Sequence, residues 1–219
     1  GVIVNHLFSE DTAINLDWSH YACVKVNHLP RSLKADTVAG NMLSGLELAF
    51  DNLLKMGYRR PALAVCDTDE VHMNHLYFSA FLQRQQHLQK KDRVEPLAFP
   101  FGDNDMIAER IYHWLKKHRP DVFLSTWWLA GSAHRLTVDD GHHCRFVSLD
   151  VPQRLMQIGG ILHDNEKVGN KAVDLLISRL RIFKYGLPQS ASTLLVDPSW
   201  VEPGEWPLTK RPSLEPVAF

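Results

Sequence analysis

The sequence has only three cysteines, Cys23, Cys66 and Cys144, so widely spread that no CxxC pair exists. A sparse, odd set argues against a disulfide framework and fits a reduced compartment. Charge of one sign is also missing. The 24 Lys and Arg residues nearly balance 25 Asp and Glu, for a formal net charge of −1. A nucleic-acid clamp usually carries a basic surplus, so any DNA contact is expected from residues outside this chain. Apolar runs such as VFLSTWWLAG stop well short of the roughly 18–20 residues that a membrane span needs. The opening GVIVNHLFSED has neither the basic start nor the cleavage pattern of a signal peptide. The expectation is a cytoplasmic protein with no membrane association. Because the chain starts at Gly1 and enters an apolar run at once, it reads as part of a longer protein.

Enzyme signatures are scarce too. Gly40 and Gly45 have the spacing that opens a phosphate loop, but Leu46 and Glu47 stand where lysine and a hydroxyl residue are required. No GxGxxG follows a candidate strand, and Gly131-Ser132 does not make a nucleophile elbow. His72 and His75 are three apart, and His142, His143 and Cys144 are adjacent, yet metal ligands must converge on one point. They read as ordinary loop and surface residues, so neither a metal nor a cofactor is expected. The acids Asp67, Asp69 and Glu70, and the pair Asp139 and Asp140, cluster in predicted loops and read as solvated. A general acid/base pair would normally come from separate elements facing a cleft.

What is present is a 219-residue chain of 45% hydrophobic content and 22% charge, enough to bury a substantial core. Short apolar runs alternate with longer amphipathic segments, the pattern of an α/β fold with mostly parallel sheets. Predicted strands are Gly1–Val4, Ala22–Val26, Ala62–Cys66, Val94–Phe99, Val122–Ser125, Phe146–Leu149 and Thr193–Val196. Several lack alternation, as expected of strands covered on both faces. Met42, Leu46, Ala49, Phe50, Leu53 and Leu54 form one helical stripe that ends at Gly57, a left-handed cap position. Asp103 is placed to cap a helix that stops before Pro120, and another helix runs from about Glu166 to Tyr185. A further helix is predicted over Val71–Gln89, and the tail 203–219 reads as irregular.

The stretches LKADTVAGNMLSGLELAFDNLLKMGYRRPALAV (33–65), RFVSLDVP (145–152) and GGILHDNEKVGNKAVDLLISRLRIFKYGLPQSASTLLVDPSW (159–200) resemble, in this order, the LacI/GalR family of bacterial transcription regulators. The resemblance implies a two-lobe, periplasmic-binding-protein type I-like fold with part of the N-terminal lobe absent. The expected lobes are 1–60 with 157–188, and 61–156 with 189–202. It further implies an effector-binding and homodimerising portion of a regulator, sensing a sugar or related metabolite in an inter-lobe cleft. Operator DNA would be bound through a headpiece absent from this chain, and lobe closure would alter the spacing of paired headpieces. One alternative is a solute-binding protein of a transport or chemoreceptor system; another is a small α/β enzyme.

Ligand sites of open α/β sheets lie outside the carboxyl ends of the strands, where Asp150 falls. Asp150 is the leading effector-binding candidate, its alternative being a cap at the Val151-Pro152 turn. Asp36 either contacts ligand or caps the Met42 helix. Trp127 and Trp128 follow a strand, and one of the two could stack on a sugar ring. The family's cleft arginine is replaced by His72-Met73-Asn74-His75, so His72 and His75 are candidates to stand in for it.

Overall fold

The computed structural model describes residues 1–5, 14–28, 31–129, 142 and 144–204. Among these, the chain divides into two units: Gly1–Asn41 with Asp164–Pro198, and Met42–His163 with the segment from Ser199. Each unit is built on its own sheet.

The first unit holds β1 (Val2–Val4), β2 (Cys23–Val26), β3 (Asp36–Gly40) and β9 (Thr193–Val196), all parallel, in the order β1-β2-β3-β9. The helix α5 (Asn165–Arg181) covers the sheet, with Val168 and Ala172 buried against Val24, Val38 and Val196. Asp164 caps it by accepting from the Lys167 amide at 2.8 Å. Strand β3 is absent from the predicted strands, because DTVAG carries neither an apolar run nor clean alternation.

The second unit contains β4 (Pro61–Cys66), β5 (Leu97–Phe99), β6 (Val122–Ser125), β7 (Arg145–Ser148), β8 (Gly160–Leu162) and β10 (Ser199–Val201). Their order is β10-β8-β7-β6-β4-β5, parallel throughout except for the β10–β8 pair. Alternation decides which layer each residue meets. Ala62, Ala64, Cys66, Phe123 and Phe146 face one core, built with Ile107, Ile111, Trp114 and Leu115 of α4 (Asn104–His118). Leu63, Val65, Val122, Leu124 and Val147 face the other. That core is completed by α1 (Met42–Lys55) and α3 (Leu76–Gln85), where the rings of Phe50 and Phe81 meet edge to face at 5.9 Å. With apolar neighbours on both faces, these strands need no polar side, which is why they read as continuous runs.

Helix ends follow the local chemistry. At the end of α1, Gly57 has φ +93°, its amide bonds the Leu54 carbonyl and the Tyr58 amide bonds that of Leu53. This double closure satisfies carbonyls that the helix leaves open. Asp103 accepts from the amides of Asp105 and Met106, as its N-cap position predicts.

Two expectations need correction. The helix predicted over Val71–Gln89 is split into α2 (Asp67–His72) and α3, because Asn74 and His75 both adopt left-handed backbone angles. The division between the units also falls after Asn41 and not at residue 60. The apolar stripe of α1 is buried among strands of the second sheet, and β9 is bonded to β3 of the first, so 189–198 does not join the second unit. Of the tail 203–219, residues 205–219 lie outside the described residues.

Candidate functional site

The parallel strands of the second unit all stop at the same edge of their sheet, and a polar residue follows each of four of them. Asp69 comes three residues after β4, Thr126 directly after β6, Asp150 two residues after β7, and His163 directly after β8. With Met42, Met73, Tyr77 and Trp128 they line a cavity of about 110 Å³.

The backbone beneath Asp150 is tightly constrained. The Ser148 hydroxyl donates to the Asp150 carbonyl at 2.8 Å and accepts from the Asp150 amide at 3.1 Å. Strand β8 closes on this turn through Gly160, at φ +126°, paired with Ser148. A Cβ at Gly160 would lie 1.9 Å from the Ser148 carbonyl oxygen, so only glycine permits the approach. Asp69 is oriented by two donors on one oxygen: its Oδ2 accepts from Thr126 Oγ1 at 3.0 Å and from Trp128 Nε1 at 3.2 Å. The Trp128 ring is held edge to face by Phe99 at 6.1 Å and Phe101 at 6.3 Å. The Tyr77 hydroxyl meets Met42 Sδ at 3.4 Å.

Asp150 and His163 differ from these neighbours. Among the described residues, no donor hydrogen-bonds the Asp150 carboxylate. His163 is 8% exposed, and both its ring nitrogens are buried without a hydrogen-bond partner. Burial pushes the Asp150 carboxyl above the usual range, against the opposing pull of His163; the Asp69 charge pushes the same way as burial. Burial holds the His163 ring below its ordinary value, so it is neutral near pH 7, with Asp150 and the Leu149 backbone as weaker opposing influences. A buried polar group without a partner is costly, and in a native cavity it marks a place where a ligand or water completes the bonding. The site presents carboxylate acceptors, hydroxyls, an imidazole and an indole around a small space. That set suits a hydroxyl-rich small molecule.

Two of the residues expected from sequence, Asp150 and Trp128, line this cavity. The side chain of Trp127 lies outside the described residues. His72 and His75 are not among the lining residues; Met73 between them is. His75 is exposed, with Nδ1 at 4.0 Å from Glu70 Oε2, and His72 is half-buried. Asp36 belongs to the first unit, at the start of β3, where Arg179 donates to its Oδ2 at 2.5 Å and the Ser192 amide to its Oδ1 at 2.9 Å. Both oxygens serve the structure there, and neither caps the Met42 helix.

The acids Asp67, Asp69 and Glu70 do not lie in a loop, and of the three only Asp67 is exposed. They form the first turn of α2; Asp69 lines the cavity, and Glu70 is 4% exposed. Glu70 accepts weakly from the Phe78 amide at the start of α3, at 3.4 Å. Burial raises its carboxyl to about 7, the Phe78 and Tyr77 amides partly opposing, with Asp69 and Asp67 adding repulsion. Of the other groups weighed in the sequence, His142 Nε2 lies 2.8 Å from the Pro120 carbonyl and Cys144 is buried. Asp139, Asp140 and His143 lie outside the described residues. Among the described residues no group of three or more His, Cys, Asp and Glu could hold a metal, and no helix is long and apolar enough to cross a membrane.

Two α/β units with parallel sheets, one carrying a cavity at its carboxyl edge, make up a periplasmic-binding-protein type I-like fold. Solved structures bear this out. Similar chains include a LacI family transcriptional regulator from Enterococcus faecium with bound ribose, at 14% identity and a TM-score of 0.58, covering 82% of this chain and 68% of that one. A LacI transcriptional regulator from Lactobacillus brevis is similar at 9% identity and a TM-score of 0.61, covering 82% and 69%. A dimeric Lac repressor with a C-terminal deletion is similar at 16% identity and 0.56, covering 82% and 67%. At such identities the likeness establishes the fold, over about two thirds of those chains' length. No protein-family model matches the sequence, and no curated protein matches it.

Proposed function

We propose that this chain is the effector-sensing part of a LacI-type transcription regulator and that it binds, without converting, a sugar-like small molecule. The observation that carries this reading is the cavity where β4, β6, β7 and β8 end, lined by the half-buried Asp150, whose carboxylate takes no hydrogen bond from a described residue, and by the buried, unpartnered ring of His163. The likeness to LacI-type structures, one of them holding ribose, supports it. In this reading Asp150 and Asp69 accept hydrogen bonds from ligand hydroxyls, His163 and Thr126 supply further polar contacts, and Trp128 walls the cavity. Ligand occupancy then biases a conformational equilibrium that sets operator affinity. Operator contact through a headpiece outside this chain, a homodimeric state and a cytoplasmic location belong to the same proposal; the dimeric Lac repressor among the similar structures supports the second.

A thermal-shift screen of sugars, sugar acids, sugar phosphates and nucleobases, run on the wild type and on Asp150→Ala, tests it. Binding stabilises the native state by mass action, about 2.7 kcal/mol at a hundredfold excess over Kd. The expected result is a rise in Tm with at least one compound, lost in the variant, with the compound recovered unchanged. Silence across the whole panel, or turnover of the compound that binds, would contradict the reading.

A further inference from the structure

The cavity is charged in one sense only. Asp69 and Asp150 both line it, and among its described lining residues there is no lysine or arginine. The remaining titratable lining residues do not compensate. His163 is buried and kept neutral, and the Tyr77 hydroxyl, fully buried, is held protonated by burial. Asp69 is satisfied by neutral donors alone, the Thr126 hydroxyl and the Trp128 indole. Asp150 has no hydrogen bond to its carboxylate from any described residue, and it also feels the Asp69 charge. A desolvated carboxylate is normally found beside a cation, and here the protein supplies none.

Resting on the reading above, we propose that the occupant is a hydroxyl-rich molecule carrying a protonated amine, such as an amino sugar or an amino polyol, whose ammonium sits against Asp150 and Asp69. The ammonium gives Asp150 the charge-assisted hydrogen bond it lacks, and such bonds are about twice as strong as neutral ones. The hydroxyls find Thr126, His163 and the free oxygen of Asp69. Sugar acids and sugar phosphates are excluded, since they would bring a third negative charge into the same small space.

The test is calorimetric titration of the full chain with matched compounds: glucosamine, galactosamine, mannosamine and glucamine, each beside its hydroxyl counterpart, with N-acetylglucosamine, gluconate and glucose 6-phosphate. At least one free amine should bind about tenfold more tightly than its counterpart, and acetylation should remove that advantage where glucosamine is the amine bound. Asp150→Asn should remove the advantage while leaving the hydroxyl compound's affinity less affected. Should that variant not fold, Asp69→Asn serves with the same expected loss. A neutral sugar, acid or phosphate binding as tightly as every amine would overturn this inference and leave the sensing proposal standing. If no compound binds here or in the wider screen, both fall.

Discussion

Where β4, β6 and β7 begin, one carboxylate and one guanidinium tie the second unit's strands and loops together. Asp121 accepts from the Arg59 amide at 2.6 Å and from the Arg60 amide at 3.1 Å, and its carbonyl accepts from Arg145. The Arg60 guanidinium donates to the carbonyls of His118 and Arg119, and of Lys91. Where the same strands stop, the half-buried Asp150 carboxylate and the buried His163 ring line a cavity without a hydrogen bond from a described residue. The first edge is stabilised by what it already holds, and the second is left open for something that binds. The first unit repeats the closed arrangement: Asp36 is joined to Arg179, whose other amino group donates to the Gly186 carbonyl at 2.9 Å.

Removing a partner from a closed arrangement should cost most. Asp36→Ala leaves Arg179, whose side chain is 7% exposed, without its counter-charge. The first unit should lose about 3 kcal/mol, read by denaturant unfolding or amide exchange in α5. Ligand binding to the second unit should survive wherever that unit remains folded.

Glu70 gives the next effect, and it depends on pH. Its carboxyl is raised in the folded chain, from 4.5 to about 7, so between these values the native state holds a proton that the unfolded state has released. Its contribution to stability is therefore full below about 4.5 and is lost as pH rises through about 7, by about 2–3 kcal/mol. Glu70→Gln should flatten that decline, measured as urea midpoints at pH 5 and pH 8. A wild-type midpoint that does not fall across that range would contradict it.

Smaller again is Asp121→Ala, which removes the acceptor of two amides at a partly exposed edge and should cost about 1–2 kcal/mol. Smallest in stability is Asp150→Asn, which removes an unpaired charge and should leave the melting temperature unchanged or slightly raised. Equal destabilisation by these two variants would erase the contrast between the edges.

The sequence made the architecture legible where one force dominated. The α1 stripe, the Gly57 cap and the Asp103 cap follow from periodicity and turn chemistry, and the doubly covered strands read as plain apolar runs. Strand β3 did not, because its segment is short and small-residued and is held by pairing to β2 and β9. The break between α2 and α3 also escaped notice: no Gly or Pro marks it, and two left-handed residues make it. Within the candidate site, Asp150 and Trp128 could be named because each follows a recognisable strand. Asp69, Thr126 and His163 could have been found by the same rule, a polar residue within three positions of a buried strand's end. Asp69 was instead absorbed into an acidic cluster that looked solvated, and His163 follows a strand too short to stand out. Tyr77 and Met42 carry no local signal; only the packing of α1 against α3 brings them to the cavity.

The most direct measurement is the ligand-induced Tm shift of three proteins side by side: wild type, Asp150→Ala and Asp121→Ala, with whichever compound the screen identifies. The open-edge account predicts that Asp121→Ala melts lower yet keeps the full shift, while Asp150→Ala melts near wild type and loses it. A shift that survives Asp150→Ala, or disappears equally in both variants, would contradict the claim that the carboxyl edge of this sheet is the binding site.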